Sequence, residues 1–275
     1  MGVAGLTLPT AGVKFYPDGD PIPDAVLAYK PSEISLTSCQ ALRQALLGDA
    51  VLLTLDNVGC VAAAISLGLV DENQASPLNG PRVYTEIIRE HSATAPDWSP
   101  PSPKDFTDGL VYACSDAGRL DFCLFGPEDS GRFHDTPTAS RAVSEMTAIQ
   151  PATMRGVFFF PPDFDDKEIE PDVVVMSIRP VELARMVQAY GYNTGKRVNS
   201  SMGSVRVVNS DLIARPYLSG EINVSSYCVG ARLIAQFEGD RLGMGIPFKE
   251  YGELVKGMTD SRTGYPFAQY PGAAG

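Results

Sequence analysis

Apolar residues along this chain follow two rhythms, one with the period of strands and one with the period of helices. Residues 12–16, Gly-Val-Lys-Phe-Tyr, read as a short strand that the turn-rich run Pro17-Asp18-Gly19-Asp20-Pro21 ends. Thr37 and Ser38 precede a segment in which Leu42, Ala45 and Leu46 keep helical spacing, and Gly48 closes it. A buried strand follows over 51–55, a turn over 56–59 and a small-residue helix over 60–69. Further on, 156–160 and 172–178 are unbroken apolar runs of strand length, the pattern of central strands covered on both faces. Arg179-Pro180 opens a helix through Tyr190, with proline early, where its missing N–H does little harm. Residues 205–208, 221–227 and 243–246 add predicted strands, and 140–149 and 247–258 predicted helices.

Short strand pieces are expected over 107–125, around Cys114 and Cys123. Between 73 and 103 the chain is polar and rich in proline, a surface excursion or lid with a short helix over 82–91. The sum is an α+β fold: a single compact domain over 1–260 with a mixed sheet packed by helices, and a loose tail over 261–275. Residues 49–69 and 221–237 share an order of strand, turn, cysteine and small residues, a weak likeness that chance accounts for.

Hydrophobic residues make up 44% of the 275 residues, enough to build one large core. Asp and Glu outnumber Lys and Arg by 33 to 22, a net charge of −11 that repels phosphate backbones and anionic membranes. Nucleic acid and membrane are therefore not expected partners. Residues 1–6 lack a basic, then apolar, leader pattern, so the expected compartment is the cytoplasm. Five cysteines, an odd number, argue for thiols, ligands or small buried hydrophobes over a disulfide framework.

Candidate chemistry centres on those thiols. Cys39 and Cys60 each stand where a predicted helix begins, and backbone N–H groups there favour a thiolate. Cysteine also packs as a small hydrophobe, so each has a core reading beside the reactive one. Cys228 follows a predicted strand, and Arg232 four residues on would stabilise its thiolate, clamp a carboxylate, or form a surface ion pair. Cys114 and Cys123 lack metal-ligand spacing and read as core. Two histidines, His91 and His134, exclude a three-histidine zinc site, and a Cys–His pair would need one of them to reach Cys39 or Cys60. Residues 243–248 carry half of a dinucleotide fingerprint, broken by Pro247. The loop over 195–206 gathers glycines, hydroxyls and basic residues, either a cradle for an anion or a solvated surface loop.

Several of these landmarks, in their order, resemble a large family, the domain-of-unknown-function family numbered 169. They are Gly12-Val13-Lys14-Phe15, Ser38-Cys39-Gln40, the turn with Cys60 before Leu67-Gly68-Leu69, and Pro171-Asp172-Val173-Val174-Val175. Arg215-Pro216-Tyr217, Cys228-Val229-Gly230-Ala231-Arg232 and Gly243-Met244-Gly245-Ile246-Pro247 complete the set. The family carries no assigned activity, and many members have a further cysteine shortly before the Pro-Tyr segment, where this chain has Asn209. If the family's cysteines hold a metal or an iron–sulfur cluster, the resemblance implies three ligands here, Cys39, Cys60 and Cys228, with an open fourth place. Equally, it implies a member that has lost such a site.

The expectation is an intracellular enzyme that acts on a small anionic molecule with a site built from Cys39, Cys60 and Cys228, as metal or cluster ligands or as reactive thiolates. Lys14, Arg206, Arg232 and Asn209 would bind the substrate. The alternatives are a non-catalytic small-molecule or cofactor-binding protein and a thiol hydrolase using His91 or His134. Oligomeric state is left open.

Overall fold

The computed structural model describes residues 2–3, 6–31, 36–69, 145–165, 168–204 and 206–261. Two short strands, β1 (Gly2–Val3) and β2 (Leu6–Thr7), pair in a hairpin ahead of the main sheet. The main sheet contains β3 (Thr10–Pro17), β4 (Val51–Leu53), β5 (Met154–Phe160), β6 (Val173–Ile178), β7 (Asn223–Ser226) and β8 (Leu242–Pro247). Their spatial order is β4-β5-β3-β6-β8-β7, and every ladder is antiparallel. The α+β class therefore holds, with an antiparallel sheet where a mixed one was expected.

Helices cover both faces, which is why apolar residues occupy both faces of the central strands. Val13 and Phe15 of β3, Val157 and Phe159 of β5, and Val173 and Val175 of β6 point into one core. Helices α2 (Ser38–Leu47), α3 (Val61–Ser66) and α6 (Val229–Ile234) bury residues in that same core. On the other face, Val174, Met176, Met244 and Ile246 meet α4 (Pro180–Thr194) and α7 (Phe248–Asp260). Beneath β4 and β5 a third cluster of Tyr16, Leu52, Phe158 and Phe160 packs with Val26 of α1 (Asp24–Leu27). A fully buried Phe or Leu contributes about 1.5–3 kcal/mol.

Local signals explain how the elements begin and end. Thr37 caps α2: its hydroxyl accepts the Gln40 N–H at 3.1 Å, while the Gln40 side chain accepts the Thr37 N–H at 2.9 Å. Gly48 ends α2 in the left-handed region at φ 110°. Helix α3 stops at Ser66, short of the expected 69, because Gly68 turns at φ 74° and the Ser66 carbonyl accepts the Ile149 N–H at 2.9 Å. Residues 145–149 of the predicted 140–149 helix form a turn and irregular chain.

One element differs in kind from its sequence reading. Of the strand predicted over 205–208, the described residues 206–208 lead into a π-helix, Val208–Ala214, that runs into α5 (Arg215–Ser219). All seven of its residues are buried, polar and apolar alike, so a run rich in valine gives no alternation to follow. The Gly-x-Gly of β8 accounts for its close seat on the sheet. A Cβ on Gly245 would lie 2.1 Å from the Leu212 carbonyl oxygen, so only glycine lets the π-helix backbone approach. The half fingerprint at 243–248 is thus a packing device within a strand.

The weak likeness between 49–69 and 221–237 has an architectural basis. β4 and β7 are the two edge strands of the sheet, and each leads to a six-residue helix with a cysteine at its N-cap. Both helices contribute to the same core.

The Pro-rich excursion at 73–103, the helix at 82–91, the strands at 107–125 with Cys114 and Cys123, His91, His134 and the tail beyond 261 lie outside the described residues.

Candidate functional site

Three chain segments bring a cysteine to the same core face. Cys39 is the second residue of α2, Cys60 the N-cap of α3 and Cys228 the N-cap of α6. All three are half-buried, pack against the core on that face, and stand outside any disulfide. Their closeness has an electrostatic signature. Burial pushes the Cys39 thiol well above its usual range, and the charges of Cys228 and then Cys60 push it further the same way. The Ser38 hydroxyl and the Cys39 N–H oppose the shift without cancelling it. Burial thus keeps Cys39 as a neutral S–H at neutral pH.

Beside the thiols stands a buried polar pair. The Ser38 hydroxyl, fully buried, donates to Oδ1 of Asn209 on the π-helix, itself 3% exposed. The neighbouring residues of the π-helix are tied down as well: Ser210 Oγ accepts the Thr147 N–H at 2.8 Å. Asp211 accepts the Ser225 hydroxyl at 2.8 Å and the Gly203 N–H at 2.9 Å. The loop over 195–206 thus holds a resident carboxylate with an N–H that an external anion would have needed. A second N–H of the loop, from Ser201, goes to Asn223 Oδ1 at 2.9 Å.

The expected substrate-binding residues divide. Asn209 joins Ser38 and so sits next to Cys39. Arg206, immediately before the helical turn that carries Asn209, is half-buried in the left-handed region at φ 58°. Its side chain makes no ion pair among the described residues. Arg232 is spent on structure: Nε donates to the Tyr227 carbonyl at 3.1 Å and Nη1 to the Glu238 carbonyl at 2.8 Å, bracing the two ends of the α6 segment. Lys14 alternates with Val13 and Phe15 and so faces away from the thiols; it pairs with Asp172 at 3.0 Å.

Sequence reasoning passed over Ser38 as more than a helix start, and it passed over the brace around Cys228. Arg43 of α2 forms an ion pair with Glu238 at 2.8 Å and lies over the Phe237 ring, which stacks on Tyr227 at 4.0 Å. These contacts tie the N-cap of α6 to α2. Burial raises the Tyr227 phenol, and the Ser177 hydroxyl lies close enough to moderate this, yet neither oxygen has a hydrogen-bonded partner. No local pattern marks such pairs, because their partners come from distant strands.

A metal or iron–sulfur cluster was tested against this arrangement. Among the described residues no group of three or more His, Cys, Asp or Glu side chains is placed to hold a metal ion. Cys39, Cys60 and Cys228 thus share a core face without the geometry of a three-ligand centre. No helix among the described residues is long and apolar enough to cross a membrane.

The family model of DUF169, described as uncharacterised ArCR, matches residues 3–257. No curated protein and no solved structure matches the chain.

Proposed function

This chain belongs to the DUF169 family, whose description names no activity, and from its thiol cluster we propose an enzyme that acts on a small anionic molecule through cysteine chemistry. The reading rests on one observation: Cys39, Cys60 and Cys228, brought by three separate segments, pack against the same core face, where the charges of Cys228 and Cys60 reach Cys39. A thiolate formed at Cys60 or Cys228 would be the nucleophile, and the neutral Cys39 S–H beside it would supply a proton. A reducing compartment, the cytoplasm, suits a site made of unoxidised thiols.

The core packing of the three half-buried thiols favours a second reading, a non-catalytic small-molecule-binding protein in which the cysteines act as small hydrophobes. The thiol hydrolase using His91 or His134 draws no support from the described residues.

Anaerobic alkylation with iodoacetamide, resolved by peptide mass spectrometry, separates these readings. In the enzyme reading Cys60 or Cys228 reacts faster than a free peptide thiol at neutral pH, and Cys39 more slowly. Three thiols all slower than the free peptide would favour the binding protein. One equivalent of iron or zinc on anaerobically purified protein, lost in Cys39→Ala, would overturn the metal-free chemistry.

A further inference from the structure

The residue that connects the thiol cluster to the rest of the fold is Asn209, and its surroundings specify more than a neighbour. It lies on a π-helix, a rare element frequently found at functional sites. It is 3% exposed, and its Oδ1 is occupied by the Ser38 hydroxyl, which itself has no exposed surface. An amide carries one acceptor oxygen and two N–H donors. With the oxygen committed to a group that must donate, the amide plane is fixed and its two N–H bonds are fixed with it.

Those donors have no partner among the described residues. No further hydrogen bond to the Asn209 side chain exists among the described residues. Nor is the nitrogen sealed in: the buried side-chain polar atoms without a partner are Ser177 Oγ, Gln188 Oε1 and Tyr227 Oη. An almost wholly buried residue therefore keeps only its donor end reachable, beside the start of α2 where Cys39 stands. Arg206, three residues upstream, is half-buried and without an ion pair among the described residues. In a protein with a net charge of −11, such an unpaired guanidinium is an attractive point for an anion.

We propose that Asn209, held in orientation by Ser38, binds a carboxylate oxygen of the small molecule handled at the thiol cluster, with Arg206 supplying the opposing charge. The inference rests on the thiol-site reading and names its substrate class as a small carboxylic acid. Ser38 acts as a positioning residue, since it touches the amide and leaves the ligand to it. The arrangement discriminates against the corresponding neutral amide, which offers no charge to Arg206.

The test uses two probes on the full chain. In the first, cluster thiols are alkylated with iodoacetate and with iodoacetamide, each rate normalised to a free peptide thiol. The wild type is expected to prefer iodoacetate by about tenfold, the worth of one charge-assisted hydrogen bond. Asn209→Ala and Ser38→Ala should each return the ratio to that of the free thiol, and Arg206→Met should lower it. In the second, the Asn209 side-chain N–H pair is followed by nitrogen-resolved NMR while acetate is added; a saturable shift is expected, absent in Ser38→Ala. Preference for iodoacetate that survives in Asn209→Ala, or an N–H pair that acetate leaves unmoved, overturns the inference. A saturable acetate shift with thiols no faster than the free peptide would instead remove the thiol chemistry and leave the carboxylate site standing.

Discussion

Replacing Gly245 with alanine tests the packing that holds Asn209 in place. The added Cβ would lie 2.1 Å from the Leu212 carbonyl oxygen, 2.8 Å from its carbon and 2.8 Å from Pro216 Cγ. Real contacts stop near 3.0 Å, so the carbonyl would have to withdraw by about 0.9 Å, the difference of those two distances. Backbone carries that contact, and the π-helix around it is buried on every side, so no side chain can swing clear. Overpacking of this kind costs typically 1–3 kcal/mol, and a backbone clash belongs at the upper end, about 3 kcal/mol. For a chain of this size that corresponds to a fall in Tm of roughly 6–12 °C.

Two other glycines calibrate the measurement. At Gly243 the new Cβ would meet Leu212 Cδ1 at 2.1 Å, the far end of a side chain that can rotate, so alanine there should cost about 1 kcal/mol. At Gly252, on the exposed side of α7, nothing lies within 4 Å. Alanine there should stabilise by about 0.5–1 kcal/mol through helix propensity. Calorimetry or urea unfolding should rank Gly252→Ala above the wild type, then Gly243→Ala, then Gly245→Ala. Finding Gly245→Ala as stable as Gly243→Ala would refute the claim that β8 and the π-helix meet backbone to backbone.

Cys228→Ala removes the larger of the two charges that raise Cys39, so the pH at which Cys39 begins to alkylate should fall; an unchanged profile would mean the thiols do not share a site. Thr37→Ala breaks the capping box of α2 and should cost about 1 kcal/mol, measured by urea denaturation. Glu250 is held below the usual carboxylate range, first by the Tyr190 hydroxyl at 2.6 Å and then by Lys196. Its contribution is present above the unfolded value near 4.3 and is lost as pH falls through the lower folded value. Tyr190→Phe should cost about 1–2 kcal/mol at neutral pH, with the gap to the wild type closing in acid; a gap independent of pH would contradict the assignment.

Most regular elements were legible because each declares itself over a few neighbouring residues. Helix α2 has a capping pair at Thr37 and Gln40 and a left-handed glycine at its end; residues 156–160 of β5 and 173–176 of β6 are apolar runs; α4 begins at Arg179-Pro180. The π-helix was missed for the converse reason. Val207 and Val208 look like strand residues, yet the following Asn209, Ser210 and Asp211 are buried too, each by a partner from another segment. Half of the candidate substrate residues were misplaced for the same cause: Lys14 turns to the far face of β3, and Arg232 braces its own loop.

By itself, the sequence determined most of the stretches that become strands and helices, since alternation, caps and turn residues act locally, and it placed Cys39 and Cys60 at helix starts, whereas the helix that begins at Cys228 came from the structure. Tertiary structure alone decided that the sheet is antiparallel with β4 and β7 at its edges, and that the two edge units deliver Cys60 and Cys228 to the core where Cys39 begins α2. It also decided that Asn209 meets Ser38 across a great length of chain. Such proximities depend on the summed packing of many elements, and no single segment encodes them.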